Sequence, residues 1–211
     1  MMKVEPSRAR KNRVTLLALI AVFAMPPLLG WLFIMNPEWL PSETVNKGVL
    51  VHPPRPVSGL QLIDAESGQP FDWNQLRDQW VFVAINHGDC EQRCVSRLIN
   101  LRQLRRALGA ERQRVARVLI LLPEESGKAA ELPPMDGLEG TQILHTATGS
   151  VAGDTVSLFE LNQVEASDHL FIIDPRGDLM MRHNLKTLKT KEILKDLQLL
   201  LKASANWVQG E

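Results

Sequence analysis

Cysteine is scarce in this chain of 211 residues: two are present, four positions apart, too few and too local for the disulfide framework that staples small secreted scaffolds. They read as chemistry rather than as staples. Charge of one sign is lacking as well. Lys plus Arg and Asp plus Glu number 24 each, so there is no basic surplus to drive phosphate binding through counterion release, and nucleic acid is not an expected partner. No internal repeat or low-complexity tract follows the apolar N-terminal region, which argues against a solenoid. Once that region is set aside, the remainder suits one domain with one buried core.

What the chain does have is an uncharged apolar run from Val14 to Met35. At about 1.5 Å per helical residue it reaches roughly 33 Å, enough to cross a bilayer. Lys3, Arg8, Arg10, Lys11 and Arg13 precede it, and Asn36, Pro37 and Glu38 follow. The positive-inside rule therefore predicts a cytoplasmic N-terminus and an exported C-terminal part. Pro26 and Pro27 predict a kink, tolerable where neighbours re-satisfy the freed carbonyls. A cleaved signal peptide would have a shorter apolar stretch and a small-residue cleavage site, so a retained anchor is expected. The predicted organisation is a basic N-terminus over 1–13, a transmembrane anchor over 14–35, a proline-rich extended spacer over 36–57 and a folded domain over 58–211.

Within that domain Leu60–Ile63 and the apolar runs Trp80–Ile85 and Val115–Leu122 predict strands, the last two parallel neighbours. Between these two lie Val95, Leu98, Leu101, Leu104 and Leu108 at spacings of three and four, closed by Gly109: a helix. Gln142–His145 predicts a minor strand, and Ser150–Val164 a region holding a short helix. Leu170–Ile173 and Leu179–Arg182, joined by Asp174-Pro175-Arg176-Gly177-Asp178, predict a hairpin. Thr190 is placed to cap a last helix through Ala203, with Ile193, Leu194, Leu197, Leu200 and Leu201 as its stripe. The order predicts an α/β, thioredoxin-like fold with one N-terminal transmembrane helix.

Cys90-Glu91-Gln92-Arg93-Cys94 follows a strand and opens a helix, where unpaired N–H groups and the dipole favour thiolate over thiol. Fully helical placement would hold the Cβ atoms about 5–6 Å apart, beyond a relaxed disulfide and better suited to a bridging metal. A Cys90 at or before the first turn leaves disulfide closure open, so dithiol, disulfide and metal-bound states all remain in play. His169 begins a strand and follows Asp168. Joined to two thiolates, its imidazole would make a soft set favouring Cu(I), against the plain alternative of a strand-edge histidine bonded to a carbonyl. His87, three residues before Cys90, is an accessory candidate better read as a bystander. His52, His145, His183, Met180 and Met181 read as surface, edge or core residues, and Arg93, Arg97, Arg102, Arg105 and Arg106, with Arg112, Arg114 and Arg117 beyond, as a solvated basic face.

The unit strand, loop, Cys90-x-x-x-Cys94, helix, with Asp168-His169-Leu-Phe-Ile-Ile-Asp174-Pro175-x-Gly177 downstream, resembles the Sco/SenC family over roughly Gly59–Ala203. That resemblance implies a single-span, outward-facing thioredoxin fold in a bacterial inner membrane with its domain in the periplasm. It implies copper held by Cys90, Cys94 and His169, with Asp168 matching the acidic residue that often precedes the histidine. The implied partners are the copper-centre subunit of cytochrome c oxidase, served as copper donor, thiol reductant or both, or other oxidase assembly factors. Two departures mark a divergent relative: Val95 stands where the family usually has proline, and the stretch between Leu122 and His169 is shortened. Three functions compete: a copper chaperone, a thiol–disulfide oxidoreductase that needs no cofactor, and a non-catalytic assembly scaffold with an inert disulfide.

Overall fold

The computed structural model describes residues 6–36, 39, 46–124, 130–133, 136–146 and 150–205. They form two compact units divided after Val45. In the first, Pro6–Met35 is one helix, α1, with Pro26 and Pro27 inside it. Its segment Asn12–Met35 is long and apolar enough to cross a membrane, and its large apolar side chains stand exposed. That is the surface a lipid-facing helix presents.

The second unit, from Asn46 onward, is a seven-stranded mixed sheet with helices on its faces. Its strands are β1 (Val49–Pro56), β2 (Leu62–Asp64), β3 (Trp80–His87), β4 (Val115–Leu122), β5 (Thr141–Thr146), β6 (His169–Ile173) and β7 (Asp178–Asn184). The helices are α2 (Gln92–Ala107), α3 (Ser150–Leu158) and α4 (Thr190–Ala203). Strand order is β1-β7-β6-β3-β4-β5-β2. The apolar strand β3 lies at the centre, parallel to β4 and antiparallel to β6. Strand-crossover-strand order thus yields the α/β, thioredoxin-like arrangement expected, with β6 and β7 as the terminal hairpin.

The alternation of the strands separates two apolar layers. Trp80, Phe82, Leu170 and Ile172 face Leu98, Leu101 and Leu104 of α2 and Ile193, Leu197 and Leu201 of α4. Val81, Val83, Ile85, Phe171, Ile173 and Leu179 form the opposite layer with Phe159, which meets Phe171 edge to face at 5.0 Å. Each such aliphatic or aromatic side chain contributes about 1.5–3 kcal/mol on burial. The two layers together hold β3 and β6 in place, and the cysteine pair belongs to the first layer.

Three expectations change. The spacer ends earlier than Val57, because Val49–Pro56 is an edge strand paired with β7. An edge strand tolerates proline because only one side of it is paired, and the register shift between Leu50 and Arg55 removes Pro53 and Pro54 from the ladder. Pro37 and Pro41 lie outside the described residues. Gln142–His145 belongs to a full parallel strand that carries β2 at its far side. Finally, Thr190 begins α4 rather than capping it: the cap position is Lys189, whose backbone N–H donates to the Glu192 carboxylate at 2.8 Å.

The start of β1 is fastened from inside. The backbone N–H groups of Lys47 and Gly48 donate to Asp196 Oδ2 of α4 at 2.7 and 2.8 Å. His183 of β7, fully buried, sets its Nε2 3.1 Å from the same oxygen. Burial lowers the His183 pKa, with Asp196 pulling the other way. A Cβ on Gly48 would come within 2.7 Å of that imidazole, so only glycine lets the chain pass.

Candidate functional site

Strand β3 delivers the chain to a short loop, Gly88–Glu91, and then to α2. The loop is shaped by Asn86, whose side-chain amide donates to the carbonyls of His87, Gly88 and Asp89 at 3.1, 3.3 and 3.0 Å. Gly88 takes a φ of 67°, in the left-handed region, and its N–H donates to Leu122 of β4. Cys90 therefore lies before the helix rather than on it, with Glu91 in the cap position. That offset brings the two Cα atoms to 5.1 Å and lets Cys90 and Cys94 form a disulfide. The separation of two fully helical residues does not arise here. Glu91 supplies no side-chain cap, so the N–H groups of the first turn still aim their partial charge at the sulfurs.

Cys94 lines two clefts. One, of about 320 Å³, holds Arg93, Arg97, Asp168 and Lys186. The other, of about 390 Å³, holds His87, Asp89, Glu91 and Glu124. Asp168 reaches the first cleft from the turn Ala166–Asp168 that precedes β6. Its carboxylate pairs with Lys186 Nζ at 2.5 Å, and its carbonyl accepts from the Leu185 N–H at 2.7 Å. His87, exposed at the end of β3, contributes to the second cleft.

His169 goes elsewhere. It shares its sheet face with Phe171, whose ring centre lies 6.1 Å from its own, while Leu170 and Ile172 take the α2 face that carries the cysteines. Its Nδ1 lies 2.8 Å from the Glu165 carbonyl, an acceptor that fixes the ring proton on Nδ1. His169 lines neither cleft. Among the described residues no three His, Cys, Asp or Glu side chains are grouped to hold a metal ion. Cys90, Cys94 and His169 thus form no three-residue metal group among the described residues, and Asp168 is the acidic residue that shares a cleft with Cys94.

Arg97 was grouped with a solvated basic face, and the structure reverses that reading. Only 7% exposed, it donates to the Ile85 carbonyl at 3.0 Å and to the Ala166 carbonyl at 3.4 Å, tying the end of β3 to the turn that bears Asp168. Burial lowers its pKa to about 10, against the favourable charge of Asp168. It is a permanent cation near neutral pH, one helical turn after Cys94. Arg117 is buried too, while Arg102 and Arg105 spend guanidinium hydrogen bonds on the carbonyls of Gly137 and Val115. The signal for Arg97 was present in the sequence: it falls three positions after Cys94 and four before Leu101, on the buried stripe of α2.

Comparison with known proteins follows the same outline. Residues 80–204 match the family described as transmembrane-like, thioredoxin-like, C-terminal domain. Among solved structures, yeast Sco1 with copper bound shares 12% identity at a TM-score of 0.53, over 77% of this chain and 96% of that one. A second structure of yeast Sco1 gives 13% and 0.51, over 68% and 92%. An electron transfer protein of Aquifex aeolicus gives 10% and 0.51, over 69% and 96%. At such identities the likeness establishes the fold. No curated protein sequence matches the chain.

Proposed function

The chain belongs to the transmembrane-like, thioredoxin-like C-terminal domain family, and on that premise we propose that it is a membrane-anchored thiol–disulfide exchange protein acting through Cys90 and Cys94. The observation that carries this reading is the Cys90–Cys94 disulfide at the opening of α2, with Cys94 lining two open clefts. A partner thiolate entering a cleft attacks Cys94 Sγ. The bond to Cys90 breaks, and Cys90 leaves as a thiolate beside the helix N-terminus and takes up the proton that the partner gave up. A second partner thiol then resolves the mixed disulfide. Two electrons and two protons pass to the cysteine pair, and the partner dithiol becomes a disulfide. The reverse exchange reduces a partner disulfide.

The basic residues before the apolar segment Val14–Met35 favour a cytoplasmic N-terminus and an exported domain, and the Sco/SenC resemblance makes that side the periplasm of a bacterial inner membrane. The Sco/SenC resemblance names the partner: the cysteine pair of the cytochrome c oxidase copper-centre subunit. Cys90→Ser in the full-length protein leaves the Cys94 thiolate able to attack the disulfide of an oxidised peptide carrying that pair, trapping a mixed disulfide as one peptide cysteine leaves as a thiolate. Absence of any adduct, together with a Cys90–Cys94 bond that resists biological thiols, would leave only a scaffold.

Copper(I) as cargo is the second reading, favoured by the shared fold of the copper-bound yeast protein. The residues present fit it in part: the reduced pair offers two soft ligands, and no group of three His, Cys, Asp or Glu is found among the described residues. Anaerobic Cu(I) titration of the reduced protein decides this: binding of one equivalent that weakens in His169→Ala would restore the three-ligand site.

A further inference from the structure

The two clefts that meet at Cys94 differ in charge. On one side stand Lys186 and the buried Arg97 with a single carboxylate, Asp168. On the other stand Asp89, Glu91 and Glu124, three carboxylates against the single guanidinium of Arg93. Arg93, Asn86 and Ser167 line both, as Cys94 does. Each cleft has room for a side chain or two, and the sulfur lies where they join.

Resting on the exchange reading above, we propose that the paired clefts select a cysteine-bearing, extended polypeptide segment, with an acidic side chain on the Lys186 side of its thiol and a basic side chain on the Glu124 side. The physical basis is complementarity on either side of one reacting atom. A segment with the matching dipole gains on both flanks, and one with like charges gains on one flank and is repelled on the other. The selection bears on encounter and register, and the thiol exchange itself is unchanged. A small neutral thiol has no flanks to be read and reacts without selection.

The test uses the oxidised full-length protein in detergent and four synthetic peptides with one central cysteine. Two carry Glu and Lys on opposite flanks in the two possible orders, one carries Glu on both flanks and one carries Lys on both. Each rate of Cys90–Cys94 reduction is divided by the same peptide's rate with a small neutral disulfide, which removes differences in thiol acidity. One of the two mixed-charge orders is expected to lead both like-charged peptides by about fivefold at low salt and to lose that lead near 0.5 M salt. Glu124→Lys combined with Lys186→Glu, which balances the charges lining each cleft, should erase the lead. Equal corrected rates for all four peptides, or a lead that salt and the double exchange leave untouched, overturn the charge selection while the exchange reading stands. Failure of every peptide to reduce the bond defeats the exchange reading, and this inference with it.

Discussion

Replacing Arg97 by Gln should raise the pH at which the Cys94 thiol ionises in the reduced protein. The guanidinium lies one turn beyond Cys94 on the same buried side of α2 and lines the same cleft. Side chains one helical turn apart lie about 5–6 Å from each other. At an effective dielectric constant of about 20, a unit charge at that range favours the thiolate by about 3 kcal/mol, or roughly 2 pKa units. The guanidinium stands further out than the Cβ spacing, and at roughly 10 Å the expected shift is about one unit. Arg97→Lys keeps the charge and should move the midpoint by much less, whereas Asp168→Asn removes the opposing charge and should lower it. The assay is the pH dependence of alkylation of Cys94 in a Cys90→Ser background, with thermal unfolding to confirm a folded protein. Loss of the bonds to Ile85 and Ala166 alone, without an electrostatic role, would lower the melting temperature and leave the midpoint in place. An unchanged midpoint in both Arg97→Gln and Asp168→Asn would refute the reasoning.

Other outcomes follow from the same geometry. Asp196→Ala strips the acceptor from two backbone N–H groups and from His183, and should cost about 3–5 kcal/mol in denaturant unfolding, with Asp196→Asn milder. His183 is held below its ordinary pKa of 6.5 by burial. Its contribution to stability is thus complete above that pH and is lost as pH falls below it, because the unfolded chain takes up the proton first. A His183→Gln protein should show a flatter stability profile between about pH 7 and 5. Gly88→Ala places a methyl group 2.9 Å from Glu124 in a left-handed residue, and should destabilise the protein by about 1–2 kcal/mol in thermal melts. His169→Ala should leave the reduction potential of the cysteine pair within about 10 mV of the parent, since the ring packs beside Phe171 and lines neither cleft that holds Cys94.

Much of this fold could be read from apolar spacing. Val115–Leu122, apolar except for Arg117, became β4 residue for residue, and the stripe of Ile193, Leu197 and Leu201 became the buried side of α4. The strand at Val49–Pro56 was hidden because its prolines imitate a spacer and its pairing lies more than 120 residues away, in β7. For the site, the position of the cysteines after a strand was enough to place them at a helix start. The face taken by His169 was not legible. Alternation groups it with Phe171, but which face receives α2 depends on the handedness of a crossover between β3 and β4. Arg97 and Asp196 share a lesson: each is a charged residue set on an apolar helical stripe, and each proved to be a buried tie between distant segments.

Asp196 grips the polypeptide at Lys47 and Gly48, directly where the stretch leading from α1 joins the sheet. Traction on that stretch, from membrane movement or from a docked partner, would be met at a buried carboxylate before it reached the rungs between β1 and β7. A pull arriving at Lys47 loads Asp196 on α4 first, while the cysteines follow β3, three places along the strand order from β1.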